Sequence, residues 1–526
     1  MSSKKKKTLE PILPVKEEPW LRVLYPSCIV MAMLVVFFLA FFPVRSDDIF
    51  MYLAIGRLFT RTGSFPVIDP FLFTLPNYYW SIMYEWGSHI VSFKLFSLGG
   101  WNALVIAKTA IILLAVSVSF FLAKRLSFKS PIVPILVLLA SFAACSRFIE
   151  RSSLFSDLFT AMVLAIVLVE RNKPGWLKYL LPLIFLVWVN MHPGFHIGLI
   201  ILALAVLFDI KKLKERSVQI FSGCALASVF SGLVNPKGLE GFSFPLRSVF
   251  DTSWDIHRQY NFEWMPTLSS SYASTLDVKV FLLLIAVCAC LVILAWKQKP
   301  CFELIILIFL VYLGLSAIRF MPTAALSLAV LGTALGAKAK MLWYLSPQKS
   351  IRKTAFWLTV LILLISFTLM LKLAFAGYST FSGPRHFGTG MDTDFQPVQA
   401  ADFLEKIKLR TPLFNQHDFG CYLAWRWNGN PKLFYHGFVD DIKFYHDDYL
   451  GVNRSLEEFD RIVAKYRIGA FLLARYNIRS LDLPLIYRTL LTRPDWHLVY
   501  VDDIAMVFLK DLPENQEAIQ RYKIFP

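Results

Sequence analysis

The chain has 526 residues, of which 56% are hydrophobic and only 17% are charged, and its mean hydropathy is +0.54. Soluble domains carry about 25% charged residues, so this composition excludes a soluble protein and predicts a polytopic membrane protein. The net charge of +17 comes from short basic clusters between apolar runs. That distribution is typical of charges that set membrane orientation, and it argues against nucleic acid as a partner.

About eleven apolar runs are long enough to cross a bilayer, which takes about 20 residues. Their predicted starts lie near residues 22, 103, 131, 153, 177, 196, 217, 279, 302, 322 and 354. The basic clusters between these runs all fall on one side, at 4–7, 124–129, 171–178, 211–216, 297–299 and 338–353. The positive-inside rule makes that side cytoplasmic. An odd number of spans then predicts a cytoplasmic N-terminus and a C-terminus outside.

The predicted fold class is an α-helical polytopic membrane protein with an extracytoplasmic α/β domain at its C-terminus. The predicted parts are a cytoplasmic tail at 1–21, a transmembrane domain at 22–375 with outside loops at 44–102 and 235–278, and the α/β domain at 376–526. In that last part, "GAFLLARY" and "HLVYVDDIAMVFLKD" have the apolar character of strands. The stretches "VQAADFLEKIK" and "LEEFDRIVAKY" have the period of amphipathic helices.

Two adjacent carboxylates, Asp47 and Asp48, follow directly after the first apolar run. They open "DDIFMYLAIGRLFTRTG", an amphipathic helical pattern that carries Arg57 on its polar face and is predicted to lie on the membrane surface. One interpretation is structural: Ser46 or Asp47 caps this helix, and Asp48 complements its dipole. The other is chemical: a carboxylate takes a proton from an acceptor while cations hold a phosphate leaving group. The sequence alone leaves both interpretations open.

Further polar side chains are predicted at outside ends of spans, namely Arg147, Arg151, His192, His196 and Arg319. Charges at membrane depth are costly and usually functional when they face the interior of a helix bundle. Each arginine taken singly is equally consistent with contact to lipid headgroups. The two histidines are four residues apart, but the sequence places no third ligand clearly beside them, so a phosphate contact or a structural role is favoured over zinc binding.

Two other stretches hold candidate binding residues. Glu85 lies in "YYWSIMYEWGSHI", where it either accepts from sugar hydroxyls or accompanies an aromatic belt at the interface. The C-terminal stretches "NQHDFG", "HGFVDD" and "YHDDY" fit a polar ligand site or ordinary loop composition equally well. Their candidate residues are His417, Asp418, His436, Asp440 and Asp441.

The order of these features resembles the GT-C superfamily of membrane glycosyltransferases, and especially its protein O-mannosyltransferase and lipid A aminoarabinose transferase branch. The resemblance rests on the first span, the Asp-Asp pair at 47–48, the helix continuing into "GRLFTRTGSFPVIDPF", and "YEW" before the second span. The resemblance also covers the layout of about eleven spans. The chain looks still more like a bacterial subgroup in which such a membrane part is followed by a "LFNQHDFGCYLAW" tail. In this branch the first acid is taken as the catalytic carboxylate. The resemblance therefore implies that role for Asp47, with Asp48 as its neighbour.

The chain also departs from that branch. It has Tyr84-Glu85-Trp86 where the aminoarabinose transferases carry Lys-Pro-Pro, and Asp157 in "LFSDLF" matches a second acidic position only loosely. The acidic metal motif of the oligosaccharyltransferase kind is not recognisable. The sequence accordingly predicts no cofactor and no metal ligand, and it leaves a divalent metal open.

The resemblance implies a glycosyltransferase of the bacterial inner membrane that moves a hexosyl or pentosyl group from a polyprenyl-phosphate donor. A lipid, a glycan or a protein would accept the sugar at the outer face, with inversion. Asp47 would act as the general base, and Arg147, Arg151, Arg319 and His192 would stabilise the phosphate. The alternative is a lipid-linked-sugar flippase or a non-catalytic envelope glycan assembly protein. Such a protein would use the same cations but would need no base.

Overall fold

The computed structural model describes residues 19–80, 82–250, 261–339, 349–476 and 483–524. The basic cluster at 4–7 and nearly all of the predicted tail at 1–21 lie outside the described residues. Parts of the predicted loop at 235–278 and of the cluster at 338–353 lie outside them as well.

Helices account for most of the described residues as far as residue 376. The longer ones are α1 (Leu21–Ala40), α2 (Asp48–Thr62), α3 (Trp86–Arg125), α4 (Ile132–Ala144), α5 (Ser153–Glu170), α6 (Leu181–Met191), α7 (Phe195–Phe208), α8 (Arg216–Ser231), α9 (Leu239–Phe250), α10 (Leu276–Leu294), α11 (Cys301–Ser316), α12 (Met321–Lys338) and α13 (Lys349–Ala376). A helix lies at each predicted span. The largest difference is at α3, which starts well before residue 103 because it consists of two segments joined at a kink. Gly100 occupies the left-handed region there, with φ 60°, which a glycine adopts without strain.

Among the described residues, six helices are long and apolar enough to cross a membrane: α1, α3, α5, α10, α12 and α13. The helices α4, α6, α7 and α11 are apolar but shorter. The number of eleven spans therefore stays a prediction, as do the orientation of the termini and the domain boundaries.

The helix α12 occupies the centre of the bundle. All of its residues from 321 to 336 are buried, and it packs against α3, α4, α5, α10 and α11. Small side chains make this packing close: a Cβ at Gly332 would lie 2.9 Å from Leu136 of α4. Since α4 ends and α12 begins at the same end of the bundle, the turn at 145–152 comes near the start of α12.

The helix α2 does not lie with an apolar face on lipid, which corrects the expectation of a membrane-surface helix. Its residues from Ile49 to Gly56 are all buried. It packs against α3 and against the C-terminal helix α15 (Gly420–Trp427). The apolar pattern of α2 is therefore satisfied by protein, not by the bilayer.

The chain after residue 376 is a mixture of strands and helices. Strands β1 (Tyr378–Thr380) and β2 (Gly383–Arg385) form a hairpin, and β3 (Leu413–Asn415), β4 (Ala470–Ala474), β5 (Trp496–Val501) and β6 (Ala505–Lys510) form a sheet in the order β3-β4-β6-β5. Only the β3–β4 pair is parallel among these described strands. The remaining helices are α14 (Val398–Lys406), α16 (Leu456–Tyr466), α17 (Leu485–Thr492) and α18 (Gln516–Tyr522). The strands and helices predicted in this part coincide with β4, β5, β6, α14 and α16.

The C-terminal part shares one hydrophobic core with the first predicted loop. That core joins Val44, Leu72 and Trp80 to residues of the sheet such as Phe414 and Phe508. A buried contact of 2.8 Å between the carboxylate of Asp69 and Nε2 of His436 also connects the two parts. His436 is thus an internal contact and not a member of an open ligand site. Asp441 likewise has a local role, because its carboxylate accepts from the N–H of Phe444 at the start of a helical turn.

Candidate active site

Asp47 lies where α1 gives way to α2, but its carboxylate does not cap α2. Its backbone is helical, with φ −68° and ψ −34°, whereas a capping residue needs an extended conformation. Its Oδ1 instead accepts a hydrogen bond of 2.5 Å from Nε2 of Gln396. The hydroxyl of Ser46 is buried and has no hydrogen-bond partner among the described residues. The capping interpretation is therefore wrong for both residues.

The surroundings of Asp47 change its acidity. Its pKa is about 7, raised from 3.8 first by burial and then by the negative charges of Asp418 and Asp48. The hydrogen bond from Gln396 and the charge of Arg151 act in the opposite direction and keep the pKa from rising further. A base with a pKa near the working pH combines a useful deprotonated fraction with a useful affinity for the proton. The position of Asp47 therefore favours proton transfer at neutral pH.

A chain of ion pairs runs from Asp48 into the bundle. Nε of Arg151 lies 2.7 Å from Oδ2 of Asp48, and Nη1 of Arg151 contacts Oε1 of Glu263. Arg147 contacts the same Oε1 at 2.7 Å through its Nη1. Two arginines from the turn between α4 and α5 thus share one carboxylate of a later loop. Their positive charges hold the pKa of Glu263, despite its burial, well below its usual range.

Arg319 and His192 lie beside this chain of ion pairs. The charges of Glu263, Arg147 and Arg151 all act on Arg319, whose guanidinium lies 4.5 Å from the centre of the Trp264 ring. Burial, followed by the positive charges of the arginines, lowers the pKa of His192 to about 3. The ring is therefore neutral at pH 7. Its Nδ1 accepts from the N–H of Gly194 at 3.0 Å, which leaves the proton on Nε2.

Glu85 is held beside the same cluster by two hydroxyl groups. The hydroxyl of Tyr52 donates to its Oε2 at 2.9 Å, and the hydroxyl of Ser152 donates to the same atom at 2.8 Å. Burial raises the pKa of this carboxyl. Glu85 also lies near enough to Arg319 for their charges to interact. Its role in the described structure is that of a fixed acceptor, not simply a member of an aromatic belt.

Comparison with solved structures shows two similar membrane proteins. The archaeal oligosaccharyltransferase AglB from Archaeoglobus fulgidus, in complex with an inhibitory peptide and a dolichol-phosphate, matches with a TM-score of 0.61 and 12% identity, over 87% of this chain and 70% of AglB. ArnT from Cupriavidus metallidurans bound to undecaprenyl phosphate matches with a TM-score of 0.52 and 14% identity, over 94% of this chain and 98% of ArnT. Both are GT-C superfamily membrane glycosyltransferases. This chain has the GT-C fold.

The GT-C fold implied by the sequence resemblance is thereby confirmed, and the apolar helices identify an integral membrane protein. The apo form of the same ArnT also matches with a TM-score of 0.52, over 93% of this chain and 97% of that one. No family model matches the chain, and no curated protein matches it in sequence.

Three predicted site residues take part in other contacts, and of these three only Asp157 is near enough to Arg147 for their charges to interact. In the described structure, Arg57 donates to the carbonyl of Trp425 and lies 4.0 Å from the centre of its ring, so it contacts the C-terminal part. The ring of His196 packs against Phe242 at 5.2 Å. Asp157 is buried and accepts from the hydroxyl of Thr323, which links α5 to α12. Over the described ranges, no group of three His, Cys, Asp or Glu side chains is arranged for a metal ion.

The sequence analysis did not single out the ion pair that holds the turn before Asp47. Nζ of Lys108 lies 2.6 Å from Oε1 of Glu150, and both side chains are almost fully buried. Oε2 of Glu150 accepts from the backbone N–H of Arg45 at 3.1 Å, while Nζ of Lys108 donates to the carbonyl of Phe42. A lone lysine inside the apolar run "VIAKTAIILL" was the available signal, because a charge at that depth requires a partner.

Proposed function

We propose that this protein is an inverting glycosyltransferase that uses a polyprenyl-phosphate sugar as donor at the outer face of the bacterial inner membrane. The GT-C fold supports the class of reaction. The AglB and ArnT structures that it resembles contain dolichol-phosphate and undecaprenyl phosphate, which supports the class of donor. A lipid, glycan or protein at that face is the acceptor, with the N-terminus of the chain in the cytoplasm.

The observation that carries this proposal is the position of the Asp47 carboxylate, held by Gln396 beside a cluster of guanidinium groups, where burial raises its pKa to about 7. In the proposed reaction, Asp47 takes the proton of an acceptor O–H or N–H group. The acceptor atom then forms a bond to the anomeric carbon from the face opposite the phosphate. The bond between that carbon and the phosphate oxygen breaks, and its electron pair leaves with the polyprenyl phosphate.

The cluster beside Asp47 suits the charge that develops on the leaving phosphate. The guanidinium groups of Arg147, Arg151 and Arg319 lie together there, and Asp48 and Glu263 are paired with two of them. Guanidinium groups remain charged at any working pH and match the geometry of phosphate oxygens. Neutral His192 adds an Nε2–H donor and no charge. Preorganised donors of this kind stabilise a transition state more than a solvated ion does.

The test is sugar transfer in membranes that contain the full chain. Radiolabelled undecaprenyl-phosphate hexose and undecaprenyl-phosphate pentose are supplied, and incorporation into the lipid, glycan and protein fractions is measured. The parent chain is expected to transfer at least one of these sugars. Asp47→Asn keeps the size of the side chain and the acceptor atom for Gln396, but an amide does not take a proton. We expect a fall in rate of about 100- to 10,000-fold.

Asp394→Asn is the matched control, because it removes the same charge from an exposed carboxyl in the segment that docks near Asp47. It is expected to transfer at the parental rate. Full activity of Asp47→Asn would reject the base and favour the flippase or assembly alternative. The proposed donor class would be overturned if the well-expressed parent transferred neither sugar.

A further inference from the structure

The segment after β2 pairs with the residues that follow α1. The N–H of Val44 donates to the carbonyl of Gly390 at 2.9 Å, and the N–H of Asp392 donates back to the carbonyl of Val44 at 2.9 Å. The guanidinium of Arg45 lies 3.6 Å from the centre of the Phe395 ring. Because the backbone is paired on both sides of residue 391, this segment has a fixed register against the turn that carries Asp47.

Gln396 stands at the end of that segment with its donor atom on the carboxylate of Asp47. Its side chain is 2% exposed, and its Nε2 lies 2.5 Å from Oδ1. Its own carbonyl accepts from the N–H of Val398, which fixes the backbone at the start of α14. Its Oε1 is buried and has no hydrogen-bond partner among the described residues. The reverse orientation of the amide would place this oxygen against an ionised carboxylate, so ionised Asp47 holds the amide as it stands.

We propose that Gln396 is a positioning residue of the base, and that its amide occupies Oδ1 of Asp47 so that Oδ2 takes the proton of the acceptor. This inference rests on the proposed function. It gives the C-terminal part a share in the reaction centre, since the sequence analysis assigned the base to the membrane part alone. Proton transfer to Oδ2 leaves the bond between Gln396 and Oδ1 in place, because a protonated carboxyl still accepts on its carbonyl oxygen.

The charged groups that act on Asp47 belong to three segments of the chain. Asp48 opens α2, Arg151 precedes α5, and Asp418 precedes α15. Asp418 and Gln396 both belong to the C-terminal part, yet they act oppositely on the same carboxylate. The charge of Asp418 disfavours ionised Asp47, and the hydrogen bond from Gln396 favours it. Substitutions at the two positions should therefore shift the pH dependence of transfer in opposite directions.

The experiment measures kcat/KM for sugar transfer between pH 5.5 and pH 9 in the full chain. Gln396→Leu keeps the volume and removes the donor, so the pKa of Asp47 rises. We expect the inflection of the profile to move to higher pH, and kcat/KM at pH 7 to fall about tenfold and recover at alkaline pH. Asp418→Asn removes a like charge from an exposed side chain. We expect its inflection to move to lower pH, with kcat/KM at pH 6 rising roughly twofold.

Asp394→Asn again serves as the control, and its profile is expected to superimpose on that of the parent. Opposite shifts of the other two variants support the proposal. An unshifted profile in Gln396→Leu, or loss of its activity at every pH in folded protein, would overturn it. If Gln396→Leu does not fold, Gln396→Met, which also lacks the donor, is assayed in its place, and an unshifted profile there overturns the proposal. Asp47→Asn is assayed alongside, so that failure of the base itself is distinguished from failure of its positioning.

Discussion

Replacing Asp47 by Asn should stabilise the protein, and more so at alkaline than at acidic pH. Burial and the charges of Asp418 and Asp48 raise the pKa of Asp47 in the folded chain to about 7, whereas the unfolded chain titrates near 3.8. Between these two values the unfolded chain is ionised and the folded chain holds a proton. The free energy of unfolding therefore falls as the pH rises from about 4 to about 7, and it stays lower above that range.

The size of the effect follows from the two pKa values. The rise from 3.8 to about 7, at about 1.4 kcal/mol per pKa unit, corresponds to about 4 kcal/mol of lost stability above pH 7. From pH 5 to pH 8 the ionisation of Asp47 lowers the free energy of unfolding of the parent by about 3 kcal/mol. The Asn variant has no carboxyl at this position and does not show this decrease. An unfolding entropy of about 2.1 cal/mol/K per residue makes 1 kcal/mol worth about 1 °C in a chain of 526 residues. The stabilisation of the variant, measured as melting temperature, should therefore be about 3 °C larger at pH 8 than at pH 5.

The assay is thermal unfolding of the purified full chain in detergent, followed by tryptophan fluorescence at pH 5, 6, 7 and 8. Asp394→Asn changes the net charge equally, and it should follow the parent at every pH because its carboxyl is exposed. A stabilisation by Asp47→Asn that stays constant with pH, or that grows toward acid, would show that Asp47 ionises in the folded chain as easily as in the unfolded one. Asp47 would then not be a base with a pKa near neutrality.

Two further predictions concern the ion pairs. Glu263→Gln removes the negative charge that Arg147 and Arg151 share, so we expect the free energy of unfolding to fall by about 1 to 3 kcal/mol, measured as a lower melting temperature. An unchanged melting temperature would show that the two arginines do not depend on Glu263. Asp69→Asn leaves His436 without its buried carboxylate, so we expect the C-terminal part to be cut faster by trypsin in limited proteolysis; parental digestion rates would contradict this.

Local pattern predicted much of the framework. The stretch "LEEFDRIVAKY" is α16 from its first residue to its last, because Ser455 before it caps the helix through its hydroxyl and its apolar residues share one face. The turn with Arg147 and Arg151 was also found in sequence, since charges next to an apolar run stand out. Such patterns do not identify the residue with which a charged side chain pairs. Glu263 is 112 residues from Arg151, and a lone acid in a loop gives no sign of what it binds.

The site around Asp47 shows the same limit more strongly. An amphipathic pattern tells that α2 has an apolar face but not whether lipid or protein covers it, and α15 supplies the cover. Gln396 carries no charge and lies in no motif, so nothing in its neighbourhood marked it as a contact of Asp47. Its role depends on backbone pairing between residues near 44 and residues near 391, which only the folded chain establishes.

The contact between Asp47 and Gln396 joins residues 349 positions apart, and this separation has a consequence for biogenesis. At about 10 residues per second, the ribosome needs roughly half a minute between making the first residue and making the second. During that interval the nascent chain has inserted α1, but α2 with its apolar residues from Ile49 to Gly56 does not yet pack against α15, which has not been made. The proposed reaction centre is therefore among the last parts of the molecule to be assembled, and a chain released early would carry the arginines and the carboxylate without the amide of Gln396.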